Sequence, residues 1–187
     1  VVSPETGKEL ASGEVGEIYI HSEGVFSGYL THPDHPVDSP LVHIEGKQWY
    51  KSGDLGSINS DGYLNLGGRI KRFAKIGGEM VSFASIEEEI NSYAKRECLI
   101  GEDETEVRFV AGIRAENEDK PSIVVVTSLE NVDKSQLNQV LREAGFANII
   151  RISDVIYTPE IPMTGTGKVA LKKINDLIKQ AQVKEGV

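Results

Sequence analysis

Residues 162–170, PMTGTGKVA, place Lys168 after two glycines and two threonines. A strand–GxxxxGK[ST]–helix phosphate loop needs a glycine five places before the glycine of its GK pair, and a Ser or Thr after the lysine to hold magnesium. Those places carry Pro162 and Val169, so the stretch is not that loop. What remains is a flexible Gly-Thr-Gly turn able to deliver the Lys168 cation to an anion. Two distant stretches carry complementary groups. In YKSGDL, residues 50–55, Gly53 permits a tight backbone and Asp54 presents a carboxylate at a strand end. In GRIKRFAKIGGEMVSFASIEE, residues 68–88, Arg69 is followed by the cations Lys71, Arg72 and Lys75. An aspartate for ribose hydroxyls, an arginine for ribose or phosphate, and a mobile lysine for developing phosphate charge are what a nucleotide-handling site needs.

The elements that must position these groups differ between the two ends of the chain. The first third has a β pattern: GEIYIHS alternates Ile18 and Ile20 with more polar neighbours, and VFSGYL follows a Ser-Glu-Gly turn as a further candidate. QWYKSGDLGSI and YLNLGGR are two more strands, joined through the Asp61-Gly62 turn signal. A small antiparallel sheet or barrel-like remnant is expected. Beyond residue 70 the pattern becomes α+β: two short strands around Gly77-Gly78; a helix SIEEEINSYAK capped by Ser85 with a box to Glu88; and buried strands VRFVAGIRA and SIVVVTSL across an NEDKP loop. A helix DKSQLNQVLREAG capped by Asp133 and stopped by Gly145 follows, then a strand IIRISDVIYT and a closing helix VALKKINDLIKQ. The fold class expected is α+β: the β-subdomain over residues 1–68, then a compact lid domain over 69–187 with a mostly antiparallel sheet flanked by helices.

Charge follows the same division. Residues 1–68 carry a formal charge of −7 and residues 69–187 carry −2, giving −9 in all. That balance argues against nucleic acid as a partner, whose binding rests on phosphate neutralisation. No apolar run approaches the roughly 20 residues of a membrane span, and VVSPETGKEL lacks the basic and apolar regions of a signal peptide. A single cysteine, Cys98, fits a reducing compartment, and is read as a buried or incidental thiol. His32 and His35 in THPDHP are assigned to a loop rather than a metal site. Trp49 and Tyr50 are taken as core or interface aromatics, and Glu87, Glu88 and Glu89 as an exposed helix face from which Glu87 can hold the adjacent loop.

In their order and separations, the three stretches resemble the C-terminal motifs of adenylate-forming enzymes: acyl-CoA synthetases, luciferase-like ligases and peptide-synthetase adenylation domains. GEVGEIYIHSEGVFSGYL, residues 13–30, is similar to the strand and Gly-Tyr turn upstream of those motifs, so the resemblance covers nearly the whole chain. It implies an ATP- and magnesium-dependent ligase in which Asp54 holds the ribose hydroxyls, Arg69 contacts the ribose and Lys168 reaches phosphate and carboxylate. Lys71 takes the hinge place, and Gly77 and Gly78 the loop that borders a pantetheine channel after rotation. The protein's own N-terminal domain would supply the phosphate loop and acyl pocket, so the present portion is expected to be inactive alone.

KRFAKIGGEMVS, residues 71–82, resembles the bacterial acyl-[acyl carrier protein] synthetases, often fused to a 2-acylglycerophosphoethanolamine acyltransferase. That resemblance implies a fatty acid substrate and an acyl carrier protein acceptor, with coenzyme A as the alternative. The lack of an apolar span and of signal-peptide regions reads as a cytoplasmic protein, at the inner face of the bacterial membrane if an acyltransferase or membrane region accompanies it. Arg69, Lys71, Arg72 and Lys75 would receive an acidic carrier or form a solvated edge strand, two readings of equal weight. Two departures stand out: Ser52 replaces a threonine, and Leu171 replaces an arginine three places beyond the lysine. A noncatalytic docking module and a stand-alone nucleotide-binding regulator are the other functional classes.

Overall fold

The computed structural model describes residues 1–30, 34, 38–115 and 121–185. His32, His35 and the NEDKP loop up to Lys120 lie outside them. The chain divides into two compact units, Val1–Lys71 and Arg72–Val187.

The first unit is built on one long strand. β1 (Gly16–Ile20), β2 (Leu41–Ile44), β3 (Lys47–Ile58) and β4 (Leu64–Arg69) form a four-stranded antiparallel sheet. β1 runs along one edge of β3, while β2 and β4 share the other edge end to end, since Tyr50 pairs with both Ile20 and Leu41 and Gly56 with both Gly16 and Leu66. Among the described residues no closed barrel forms. The strand candidate over Val25–Leu30 is not a strand. Gly28 there has φ +143°, and Phe26 packs its ring on Tyr29 and Tyr50 instead of entering a ladder. β2 was not anticipated, because its four residues end in His43-Ile44 with no clear alternation. The turn Glu45-Gly46, with both φ values positive at 50° and 76°, joins it to β3. Trp49 is half-buried and lies 5.2 Å from the His21 ring.

The second unit encloses a sheet between helices. A 3-10 turn, Ile70–Arg72, straddles the boundary and leads to the hairpin β5 (Phe73–Ile76) and β6 (Glu79–Ser82), then α1 (Phe83–Arg96). β7 (Phe109–Ala115), β8 (Pro121–Thr127), α2 (Lys134–Glu143), β9 (Ile152–Tyr157) and α3 (Leu171–Glu185) follow. β8 is central, antiparallel to β7 and parallel to β9, which returns through the α2 crossover. Apolar residues fill both faces of this sheet. Phe109, Ala111, Ile123 and Val125 join Ile86 and Ile90 of α1 and Leu137 and Leu141 of α2 on one side. Val110, Val124 and Val126 meet Ile174 and Ile178 of α3 on the other. A strand buried on both faces needs an unbroken apolar run, which is why SIVVVTSL shows no alternation.

The helix starts obey capping chemistry, with one shift from expectation. α1 is capped by Ser82, which accepts from the Ser85 amide, so the cap lies three residues before the expected one and no box to Glu88 forms. Phe83, buried beneath it, extends the apolar stripe of Ile86 and Ile90 backwards and carries the helix with it. α2 is capped by Asp133 and followed by Gly145 at φ +87°, as its sequence implied. Cys98 is exposed rather than buried, in a left-handed conformation (φ 55°) just beyond α1.

Candidate functional site

β3 and β4 bring two of the sequence-predicted residues together. Asp54 and Arg69 are cross-strand partners, and their side chains form an ion pair of 3.0 Å from Nε to Oδ1. Arg69 Nη1 also donates to the Ser52 carbonyl at 2.8 Å, while the Ser52 hydroxyl accepts from the Asp54 amide at 3.0 Å. Gly53, between them, has φ +72°, which favours glycine and lets the chain turn the carboxylate towards its arginine. A side chain at that place would meet Arg69 Nη1 at 3.6 Å. The Asp54 side chain is 32% exposed and that of Arg69 65%. The pair is therefore reachable from solvent, with one carboxylate oxygen still able to accept hydroxyl donors. The importance of Ser52 was not legible in the sequence, although a serine two residues before an aspartate is a recognisable side-chain-to-backbone turn signal.

Lys168 sits in the second unit on a closed turn. Met163 and Val169 form an isolated antiparallel bridge; the Thr164 amide donates to the Lys168 carbonyl at 2.7 Å and the Ala170 amide to the Pro162 carbonyl at 2.8 Å. The Gly167 amide donates to the Thr164 carbonyl at 3.0 Å, with Gly167 at φ +76°. The Thr164 hydroxyl accepts from the Lys168 amide at 3.2 Å and lies 3.0 Å from the Thr166 hydroxyl. The flexible Gly-Thr-Gly turn expected from sequence is instead a small hydrogen-bonded hairpin. Buried Ile161 anchors its entry and α3 its exit. Lys168 is exposed, and among the described residues its ammonium group has no recorded partner.

Lys71, expected from the resemblance to be a hinge, lies in the 3-10 turn between two anchored arginines. Arg69 is tied to Asp54 in the first unit, and Arg72 to Glu87 and the Ala111 carbonyl in the second. Lys71 itself is exposed. Two of the four cations read from sequence as a docking cluster are thus already neutralised inside their own units. Glu87, expected on an exposed face and as a holder of the adjacent loop, is half-buried and holds the Ala111 amide of β7 instead. Gly77 and Gly78 form the two-residue turn of the β5–β6 hairpin at φ +59° and +92°. The Ile149 side chain occupies the space where a Gly77 Cβ would stand.

No established family model matches the chain. In sequence it is 42% identical over 66 residues to a D-alanine–D-alanyl carrier protein ligase of Streptococcus pyogenes serotype M5 (strain Manfredo), covering 35% of this chain and 13% of that protein. It is 39% identical over 71 residues to the putative acyl–CoA ligase YdaB of Bacillus subtilis (strain 168), covering 38% and 13%. The matched part therefore spans about an eighth of each relative's length. In structure, ATP-bound MatB from Rhodopseudomonas palustris superimposes with a TM-score of 0.64 at 24% identity, over 94% of this chain and 33% of that one. O-succinylbenzoate coenzyme A synthetase (MenE) from Bacillus subtilis, solved with ATP and a magnesium ion, gives 0.65 at 19% identity, over 91% and 32%. The relatives by sequence are thus named as ligases, and the α+β fold of this chain is shared with about a third of the MatB and MenE chains.

Proposed function

We propose that this chain is the C-terminal portion of an ATP-dependent acyl-activating ligase, and that Lys168 is its catalytic residue for the first half-reaction. The observation that carries the reading is the Lys168 hairpin: an unpaired ammonium on a hydrogen-bonded turn. A cation held that way needs little reorganisation to meet developing negative charge, so it acts as an electrostatic stabiliser and not as a base. In the first half-reaction a substrate carboxylate attacks the α-phosphorus of ATP; the P–O bond to pyrophosphate breaks and an acyl-adenylate forms. In the second, a thiolate sulfur attacks the acyl carbon and AMP leaves with the bonding electrons.

Asp54 and Arg69 fit the ribose end of the nucleotide, since a half-exposed carboxylate braced by a guanidinium and by Ser52 offers acceptors to vicinal hydroxyls. Magnesium would travel with the phosphates. Among the described residues no cluster of three or more His, Cys, Asp or Glu is placed to hold it. In this reading Lys71 is the hinge, and rotation about it withdraws Lys168 and brings Gly77 and Gly78 beside the pantetheine arm of the acceptor. The anchors at Arg69 and Arg72 support a pivot confined to Ile70 and Lys71.

The acid is assigned as a fatty acid on the KRFAKIGGEMVS resemblance, and the acceptor as an acyl carrier protein in preference to coenzyme A, supported by the same resemblance and by the carrier protein in the name of the streptococcal relative, whose own named acid is D-alanine. The setting proposed is cytoplasmic. A noncatalytic docking module is disfavoured, because docking gives no physical reason for the Asp54–Arg69 pair or for an unpaired lysine on a rigid hairpin.

The test separates the half-reactions in the full-length protein. Lys168→Ala is expected to abolish ATP-dependent adenylate formation, read as pyrophosphate release, while thioester formation from preformed acyl-adenylate persists. Equal loss in both assays would overturn the assignment.

A further inference from the structure

Beyond the C-terminal end of α1 the second unit carries an open groove of about 340 Å³, lined by none of the residues of the proposed ligase site. Tyr93, Leu99, Leu129 and Val132 form its apolar lining over the buried side chains of Phe109 and Leu137. Leu99 and Leu129 also line a second groove, so they stand as a ridge between the two. The backbone fixes the first side of that ridge. The Leu99 amide donates to the Ala94 carbonyl at 2.8 Å and the Cys98 amide to the Lys95 carbonyl at 3.0 Å, the paired closure that ends a helix on one left-handed residue, here Cys98 at φ 55°. An apolar residue placed after the left-handed one commonly packs back onto the helix. Leu99 holds that place and is still 51% exposed.

The opposite wall is equally set. The Ser128 amide donates to the Arg108 carbonyl at 3.1 Å, and the Leu129 amide to the hydroxyl of buried Thr127 at 3.1 Å. Asn131, at φ 60°, leads the chain from there into α2. The charged residues of the first groove are Glu97 and Glu130. Glu102 and Glu104 line the second, with Asp103 and Glu106 in the same loop. The bases beside them are turned to their own surroundings: Lys95 Nζ donates to the Glu102 carbonyl at 2.8 Å, Arg96 lies 3.7 Å from Glu97, and Arg108 is shared between Glu104 and Glu106. At the start of α2, Asp133 caps the helix and offsets its positive end, and Lys134 is held at the Ser153 carbonyl. The acids therefore outnumber the bases, and the surface is negative.

We propose that the Leu99–Leu129 ridge and its two grooves form a docking surface for a basic amphipathic helix of a partner protein. Such a helix seats apolar side chains three and four residues apart in a groove and sets its lysines or arginines against the carboxylates around it. Both walls are held by backbone hydrogen bonds, so little ordering is needed on binding. The sign of the charge selects the occupant. A second copy would bring the same acids face to face, and an anionic membrane or the acidic carrier considered as acceptor would be repelled. A small ligand would find few convergent polar groups in so open a groove. The surface goes beyond the ligase reading and does not depend on it.

The probe is a synthetic amphipathic helix of leucine and lysine, about 15 residues long, together with a counterpart in which glutamate replaces every lysine. Each is titrated into the 187-residue chain and followed through backbone amide resonances. The lysine peptide is expected to shift the amides of Glu97, Leu99, Leu129 and Val132 and to bind more weakly as salt is raised, and the glutamate peptide to leave those amides in place. Leu99→Ser changes a half-exposed side chain beyond the helix end, so the spectrum elsewhere should stay native while affinity for the lysine peptide falls about tenfold. Glu97→Gln combined with Glu130→Gln keeps the apolar ridge and should lower the affinity about threefold, with a flatter salt dependence. Equal shifts with both peptides, shifts centred on another face, or unchanged affinity in both variants would overturn the surface. Concentration-dependent shifts of the same amides without peptide would overturn it in favour of self-association. Binding is read without turnover, so a full-length protein that forms no adenylate would refute the ligase reading and leave this result standing.

Discussion

Arg72 and Glu87 close a ring around the backbone of one residue of β7, Ala111. The guanidinium pairs with Glu87 Oε2 at 2.5 Å and donates to the Ala111 carbonyl at 3.0 Å, while Glu87 Oε1 accepts from the Ala111 amide at 2.7 Å. Both side chains are 19% exposed, and the Arg72 guanidinium lies 5.6 Å from the Phe83 ring. The first residue of the second unit is thereby fastened to α1 and to a core strand. If the second unit rotates about Lys71 as proposed, this fastening keeps motion there from fraying the hairpin behind it.

Glu87→Gln removes the charge and one acceptor while keeping the shape, leaving Arg72 mostly buried without its counter-ion. The expected cost is about 2 kcal/mol, between that of an exposed pair and that of a fully buried one. It is measured as a drop in the urea midpoint at unchanged slope. A loss below about 0.5 kcal/mol would mean that the pair contributes as little as a surface bridge.

The Gly77-Gly78 turn allows backbone strain to be separated from contact. Alanine at Gly78, at φ +92° with open space around it, carries the conformational cost alone, about 1–2 kcal/mol. Alanine at Gly77, at φ +59°, also meets Ile149, but the atom it meets is the Cδ1 end of a side chain that is 55% exposed and free to turn away. The two alanine variants should therefore lose similar stability. Adding Ile149→Ala to Gly77→Ala should restore less than about 0.5 kcal/mol, read in a double-mutant cycle. Larger recovery would show that Ile149 is held in place.

How much of this could be read from sequence varied with the range of the interaction that decides it. Asp133 as a helix cap, Gly145 as a stop, and the doubly buried run of β8 follow from local chemistry and composition. The same holds for the Gly77-Gly78 turn. The cap of α1 was misplaced because Ser82 and Ser85 are both good caps, and only the burial of Phe83 decides between them. The VFSGYL stretch misled because its aromatics are apolar enough for a strand, yet from a loop Phe26 packs on Tyr50 and Tyr29 on Phe26. Asp54 and Arg69 were identifiable as functional types, but their register across β3 and β4 depends on a bulge between Leu55 and Gly56 that no short motif encodes. The ring at Ala111 joins residues 39 and 24 apart in sequence, beyond the reach of any periodicity.

The Asp54–Arg69 pair admits a structural and a functional account that differ in what a substitution should move. As a stability element it is weak: Arg69 is 65% exposed, solvent screens the attraction, and pairs of that kind contribute at most about 1 kcal/mol. As the ribose-binding element of the proposed ligase it matters more, because a carboxylate held by Arg69 and by the Ser52 turn is already set to accept from two hydroxyls. Asp54→Asn keeps the size and one acceptor but loses the charge. In the full-length protein it should leave the urea midpoint within about 0.5 kcal/mol of the parent, while the KM for ATP rises by roughly tenfold, the scale of one charge-assisted hydrogen bond. Loss of stability with an unchanged KM would reverse the assignment and make the pair a clasp for the end of β4. A raised KM at constant stability would place the nucleotide's ribose against β3.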